Sequence, residues 1–165
     1  MALLNLRTLP DPVLRQKARR ISKLDDSLQK LIDDMIDTMR EANGVGLAAN
    51  QVGILQRVVV IEIPEEDEVR VLINPTIIRR EGERIVEEGC LSIPDYRGEL
   101  TRSLKVRARA LDRDGKEVRI KADGLLAQAL EHEIDHINGI LYIDHLESSD
   151  KLWKIEPHES GVQSE

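Results

Sequence analysis

The sequence predicts an α+β fold: antiparallel or mixed β-sheets packed around a C-terminal helix that carries His132, Glu133 and His136. Three observations lead there. β-Branched and alternating runs crowd between residues 57 and 121, and strands not interleaved with helices favour α+β over a doubly wound sheet. Two stretches with helical periodicity flank that block, one from Asp25 or Asp26 to about Glu41 and one between Asp123 and Gly139. With no Phe, one Trp and two Tyr, the core that joins them must be aliphatic.

In chain order, Asp11-Pro12 sets an N-cap and a first-turn proline before VLRQKAR, predicting a short helix over 11–18. In the next helix Leu28, Leu31, Ile32, Met35, Ile36 and Met39 fall on one face, and Asn43-Gly44 ends it. The stretch from Gly44 to Gly53, GVGLAANQVG, is too rich in glycine for a helix interior and too small for a well-packed strand. It reads as a tight connection, or as backbone a ligand can approach with Gln51 offering an amide. It matches no phosphate loop, because a third glycine and a Walker lysine are both missing.

Residues 57–63, RVVVIEI, are bounded by Pro64 and an acidic turn and read as a strand. Val69–Asn74, Thr76–Arg80 and Glu83–Glu87 read as three more, divided by Pro75 and Gly82. Leu104–Leu111 alternates apolar and basic residues, Asp114-Gly115 turns the chain, and Glu117–Lys121 returns. In the last helix Leu126, Leu130, Ile134 and Ile137 form the apolar stripe, with Asp123 as N-cap and Gly139 as stop. The final residues, 156–165, are polar and aperiodic and read as a frayed tail.

A length of 165 residues with neither repeat nor linker suits a single domain, 1–165. With 41% hydrophobic and 33% charged residues, and no apolar run of membrane-span length, the chain reads as globular with no membrane partner. The opening MALLNLRTLPDP shows neither a secretory signal nor a transit pattern, so the cytoplasm is expected. The net charge of −7 is spread without a basic run, and aromatics are scarce, which argues against a nucleic-acid binder. One cysteine, Cys90, excludes an internal disulfide.

The chemistry-bearing stretch is Gln128–Gly139. At about 100° per residue, His136 lies about 40° round from His132 and one turn on, so both imidazoles can grip one metal ion. Glu133 lies within about 60° of His136, near enough to act on a water that the ion holds. A third ligand is needed. Candidates are Cys90, His145, His158 and the carboxylates. His158 lies in the tail, and the third histidine of a zinc-protease extension would fall at Tyr142. Cys90, preceded by Gly89, completes a Cys/His/His set with an open fourth position. A lone cysteine is more often a buried small hydrophobe, but the H-E-x-x-H pattern in the same chain reverses that order.

Three segments, GVGLAANQ (44–51), EGCLS (88–92) and HEIDH (132–136), resemble in order and separation the signature motifs of peptide deformylase. The resemblance covers roughly Leu6 to Leu146. It implies a metallo-hydrolase that removes the formyl group from the N-terminal formyl-methionine of new proteins, releasing formate. Cys90, His132 and His136 would ligate one divalent ion, Fe(2+) in cells with Zn(2+), Ni(2+) or Co(2+) as substitutes. Glu133 would serve as base and then acid, with the Gln51 amide and the Leu91 N–H as oxyanion donors. Gly46 would meet the substrate amide through its backbone, with Gly89 also at the peptide. Val45, Val86, Leu125 and Ala129 would wall the methionine slot, and Gln128 departs from the aliphatic residue expected beside it. Glu88 with Arg102 resembles a supporting ion pair, or else two solvated charges. Arg97 would meet the peptide's carboxyl end, or else be an exposed loop residue. The implied partners are formyl-Met nascent peptides and a transient ribosome contact, for a monomer without sequence-specific nucleic-acid binding. The C-terminus is shorter than the helix many bacterial members carry.

Overall fold

The computed structural model describes residues 2–155; the segment read as a tail, with His158, lies outside the described residues. Eight strands and two α-helices are arranged as a five-stranded sheet, a three-stranded sheet and a helix held between them among those residues.

The predicted first helix is reduced to one 3-10 turn, Pro12–Arg15, capped as expected by the Asp11 carboxylate on the Val13 N–H at 3.0 Å. Tertiary bonds pull the next residues out of helix. Ala18 donates to the Ile137 carbonyl at 2.8 Å, and Arg19 donates to Leu55 and accepts from Arg57. Helix α1, Asp26–Glu41, follows the local rules. The Asp25 side chain accepts the Leu28 N–H at 3.0 Å, and Leu28, Ile32, Met35 and Met39 are buried. Its end is a Schellman motif, with Asn43 to Arg40 and Gly44 to Met39 hydrogen bonds. Asn43, at φ 57°, takes the left-handed position expected of Gly44.

The stretch read as a connection forms strand β1, Gly46–Ala48, and a 3-10 turn, Ala49–Val52. Its small residues suit a strand wedged between two helices: Leu47 and Ala48 are fully buried, one toward each side. Strand β2, Val58–Ile61, pairs antiparallel with β1. The two strands expected around Pro75 are one, β3, Arg70–Glu81. Pro75 sits where the register shifts and Asn74 takes φ 53°, so a bulge absorbs the missing N–H. Strand β4, Arg84–Cys90, pairs with β5, Ile93–Arg102, around the tight turn Leu91-Ser92. β5 carries no apolar alternation in its sequence and was not expected. Strand β6, Lys105–Leu111, and β7, Glu117–Asp123, form the predicted hairpin.

Helix α2, Gly124–Ile137, starts after Asp123, whose side chain makes no capping bond. It ends in a second Schellman motif, with Gly139 at φ 78° bonded to His136, and Ile140 to Asp135. Strand β8, Leu152–Lys154, closes the edge of the small sheet against β5.

The large sheet runs β1-β2-β3-β6-β7 and the small one β4-β5-β8. Leu126, Ala127, Ala129, Leu130 and Ile137 of α2 pack on residues from all five strands of the large sheet. The other face of that sheet is covered by α1 over β1 and β2, with Ile73 of β3 and Leu111 of β6 in the same cluster. A third cluster, with Leu14, Val86, Leu100, Leu141 and Tyr142, fills the small sheet's inner side. The polar side of α2 therefore faces β4 and β5, and the chemistry lies there.

Candidate metal centre

Helix periodicity brings His132 and His136 together, and the β4–β5 turn brings Cys90 to them. The Cys90 sulfur lies 3.2 Å from His136 Nε2, which lies 3.2 Å from His132 Nε2. All three ligand atoms fall within 4.8 Å of one another. Three donor atoms gathered this closely form a cluster that one metal ion can share. Burial opposes the charging of His132, yet Glu133, Cys90 and Glu88 hold its pKa well above the usual histidine range. A thiolate with two imidazoles is a donor set suited to zinc and iron. Neither His145 nor Tyr142 joins the cluster.

The candidate ligands are held from behind. His132 Nδ1 is 2.7 Å from Glu88 Oε1, which leaves Nε2 aimed at the site. Glu88 accepts two bonds from Arg102, at 2.6 and 2.9 Å, with both side chains almost fully buried. Burial alone would raise the Glu88 pKa, but the Arg102 and His132 hydrogen bonds overcome it and hold the value down at about 2. Arg102 also reaches Asp135 at 3.0 Å, and Asp135 meets His145 Nε2 at 2.8 Å. The Glu88–Arg102 pair is thus a buried bridge and not two solvated charges. Asp135 and His145 extend it, a role sequence reasoning did not assign; the i+3 spacing from His132 to Asp135 was the available signal. Tyr142, in the third cluster, stacks on His132 with ring centroids 6.3 Å apart.

Glu133 is 4% exposed, with Oε2 at 4.0 Å from His132 Nε2 and Oε1 buried without a partner. Burial pushes its pKa up to about 7, the value at which a carboxylate can both take and return a proton near neutral pH. Gly46 explains itself here. A Cβ at that position would stand 2.6 Å from Glu133 Oε2 and 2.9 Å from its Cγ, so only glycine lets β1 run past the carboxylate.

Gln51 is buried on the other side. Its Oε1 accepts the Ala48 N–H at 3.0 Å, which turns Nε2 toward Ser92 Oγ at 3.2 Å and Cys90 Sγ at 3.7 Å. Leu91 follows Cys90 in the turn, and its side chain lies against Gly44. Among the described residues the Leu91 N–H is given to no carbonyl. Ser92, fully buried, is a further member that the sequence did not single out.

Of the expected slot residues, Val45 and Ala129 share the cluster over the large sheet, Val86 belongs to the third cluster, and Leu125 is 43% exposed. The side chain of Gln128 donates to the Glu87 carbonyl at 3.3 Å. Arg97 lies on strand β5 and not in a loop. It is bonded to Glu87 at 2.6 Å, and its guanidinium lies over Gly89.

The family model for polypeptide deformylase matches residues 3–152. A peptide deformylase of Dehalococcoides mccartyi is 58% identical over 157 residues, covering 95% of this chain and 94% of the relative. One from Thermodesulfovibrio yellowstonii is 52% identical over 149 residues, covering 88% and 90%. The crystal structure of a peptide deformylase from Legionella pneumophila superimposes with a TM-score of 0.88 at 48% identity, covering 91% of this chain and 89% of that one.

Proposed function

The chain belongs to the peptide deformylase family, metal-dependent enzymes that remove the N-formyl group from nascent peptides, and on that premise we propose how its own residues divide the work. Cys90, His132 and His136 hold one divalent ion, Fe(2+) in cells, with Zn(2+), Ni(2+) or Co(2+) able to substitute. The ion, when bound, supplies a water of lowered pKa and polarises the formyl carbonyl. Glu133 accepts the proton from the attacking water and passes it to the peptide nitrogen as the C–N bond breaks, leaving formate and a free N-terminal methionine. Its burial and its pKa near neutrality support that double role.

The tetrahedral oxyanion takes hydrogen bonds from Gln51 Nε2 and the Leu91 N–H. Gln51 is fixed in advance by Ala48, so no reorganisation is required as charge develops. Glu88, Arg102 and Asp135 keep His132 oriented. Val45, Val86, Leu125 and Ala129 line the methionine slot. Gly46 and Gly89 present backbone to the peptide, and the Arg97–Glu87 pair marks the rim on the peptide's carboxyl side. We place the chain in the cytoplasm as a single-domain monomer that meets formyl-Met chains at the ribosome.

The observation that carries this reading is the convergence of Cys90, His132 and His136 beside a buried, unpaired Glu133 oxygen. The test is formate release from formyl-Met-Ala-Ser by anaerobically purified protein, with metal measured in parallel. Glu133→Ala should abolish turnover with metal retained, and Cys90→Ala should lose metal. Near-normal turnover in Glu133→Ala would overturn the assignment of the base.

A further inference from the structure

The two oxyanion donors stand on different sheets. Gln51 lies in the 3-10 turn that follows β1 of the large sheet, and Leu91 in the turn between β4 and β5 of the small one. Among the described residues no backbone hydrogen bond runs from one turn to the other. The contact of Gln51 Nε2 with Ser92 Oγ, at 3.2 Å, uses the same amide that must serve the oxyanion. Donors of this kind act only if their spacing is fixed before charge develops, and a misplacement of about 1 Å can cost about 10²-fold in rate.

The N-terminal segment bridges the two turns. Arg7 donates its N–H to the Gln51 carbonyl at 2.7 Å, and Leu9 donates its own to the Ser92 carbonyl at 3.0 Å. Side chains divide in the same way. Leu4 and Leu6 pack against the cluster of α1, and Leu9 packs against the third cluster, under the small sheet. Both ends of the segment are tied down. The Leu4 N–H donates to Thr38 Oγ1 of α1 at 2.9 Å, and the Asp11 N–H donates to the Thr8 carbonyl at 2.9 Å. Residues 4–11 are thus moored at each end and cross both turns between the moorings.

We propose that this segment is a strap that sets the spacing of the oxyanion donors, with Arg7 and Leu9 as positioning residues that act through their N–H groups. Arg7 holds the backbone from which the Gln51 side chain extends. Leu9 holds Ser92, which directly follows Leu91. The strap's bonds stand on the structure alone, whereas their consequence for turnover rests on the deformylase reading. Cys90, His132 and His136 take part in neither bond, so a loosened strap leaves the metal ligands in place and is felt where charge develops. Interactions realised only in the transition state appear in kcat and not in KM.

The test is formate release from formyl-Met-Ala-Ser, with metal content and amide hydrogen exchange measured on the same proteins. Arg7→Pro deletes the N–H given to Gln51; kcat should fall by about tenfold or more, with KM within about twofold and metal retained. Arg7→Ala keeps that N–H, gives up only the exposed bridge to Asp11, and should retain most of the wild-type kcat. Leu9→Ala keeps both N–H groups but weakens the strap's seat in the third cluster. It should give an intermediate fall, which keeps the test open if Arg7→Pro folds poorly. Val106→Ala, a buried truncation on β6, should lose stability without losing kcat. Amide exchange at Arg7 and Leu9 should be slow in the wild type and quicken at Leu9 in Arg7→Pro. Fast exchange at both amides in the wild type, wild-type kcat in both Arg7→Pro and Leu9→Ala, or an equal loss in Arg7→Ala or Val106→Ala would each overturn the proposal. Slow exchange in a wild type that released no formate would count against the deformylase reading and leave the strap standing.

Discussion

The two helices are similar in length and end in the same Schellman geometry, yet different forces hold them. α1 is capped by its own Asp25, presents one apolar face, and leaves most of its charges in water. α2 lacks a side-chain cap, opens on Gly124 at φ 54°, and buries Glu131, Glu133 and His136. What stabilises α2 comes from elsewhere in the chain. Glu131 accepts the Ser103 N–H and hydroxyl at 2.8 and 3.0 Å and meets Arg80 at 2.9 Å. Glu88 and Arg102 hold His132 and Asp135. A helix that only packs can obey local rules; a helix that must hold ionisable groups out of water depends on partners supplied by tertiary structure.

Substitutions can break this contrast. Glu88→Ala strips α2 of its anchor and leaves Arg102 buried with half its partners gone. It should cost about 3–5 kcal/mol in denaturant unfolding and lower metal affinity by about 10- to 100-fold. Ile32→Ala, in the fully buried face of α1, should cost about 2–5 kcal/mol but leave turnover per folded molecule unchanged. If Ile32→Ala impaired chemistry as much as Glu88→Ala does, the division of labour between the helices would be wrong.

Gly46→Ala sharpens the contrast from strand β1, by displacing one side chain of α2. The new methyl must push Glu133 aside, and turnover should fall by about 10²-fold while metal content and the unfolding midpoint change little. Unaltered kcat would show that the carboxylate has room the structure does not reveal. The smallest effect belongs to Asp25→Ala, which removes the exposed cap of α1. Thermal unfolding should detect a slight loss, and formate release should not respond.

Much of the fold was legible because it rests on local patterns. α1, β2, the β6–β7 hairpin and α2 each announce themselves through periodicity and turn residues. β1 did not, because a strand wedged between two helices and set against a carboxylate needs residues as small as Gly46 and Ala48, which look like a loop. β5 did not, because Pro94, Asp95 and Gly98 break any alternation and only pairing with β4 and β8 makes it a strand. β3 was split at Pro75 because a bulge is a property of two strands. In the site, the His132–Glu133–His136 spacing is helical arithmetic, and Cys90 followed as a candidate from its chemistry. Ser92, Asp135 and His145 took their places only through contacts distant in sequence.

By itself, then, the sequence determined two candidate ligands and a candidate base on one helix, the thiol available to join them, and the class of fold around them, because each follows from spacing along the chain. Tertiary structure alone decided that Glu88 is buried against Arg102, that Gly46 makes room for Glu133, and that Gln51 faces Cys90. It also laid Arg7 and Leu9 across Gln51 and Ser92, a link that no run of the sequence displays. Burial, close approach and cross-strand register are relations between segments, and a one-dimensional pattern carries no measure of them.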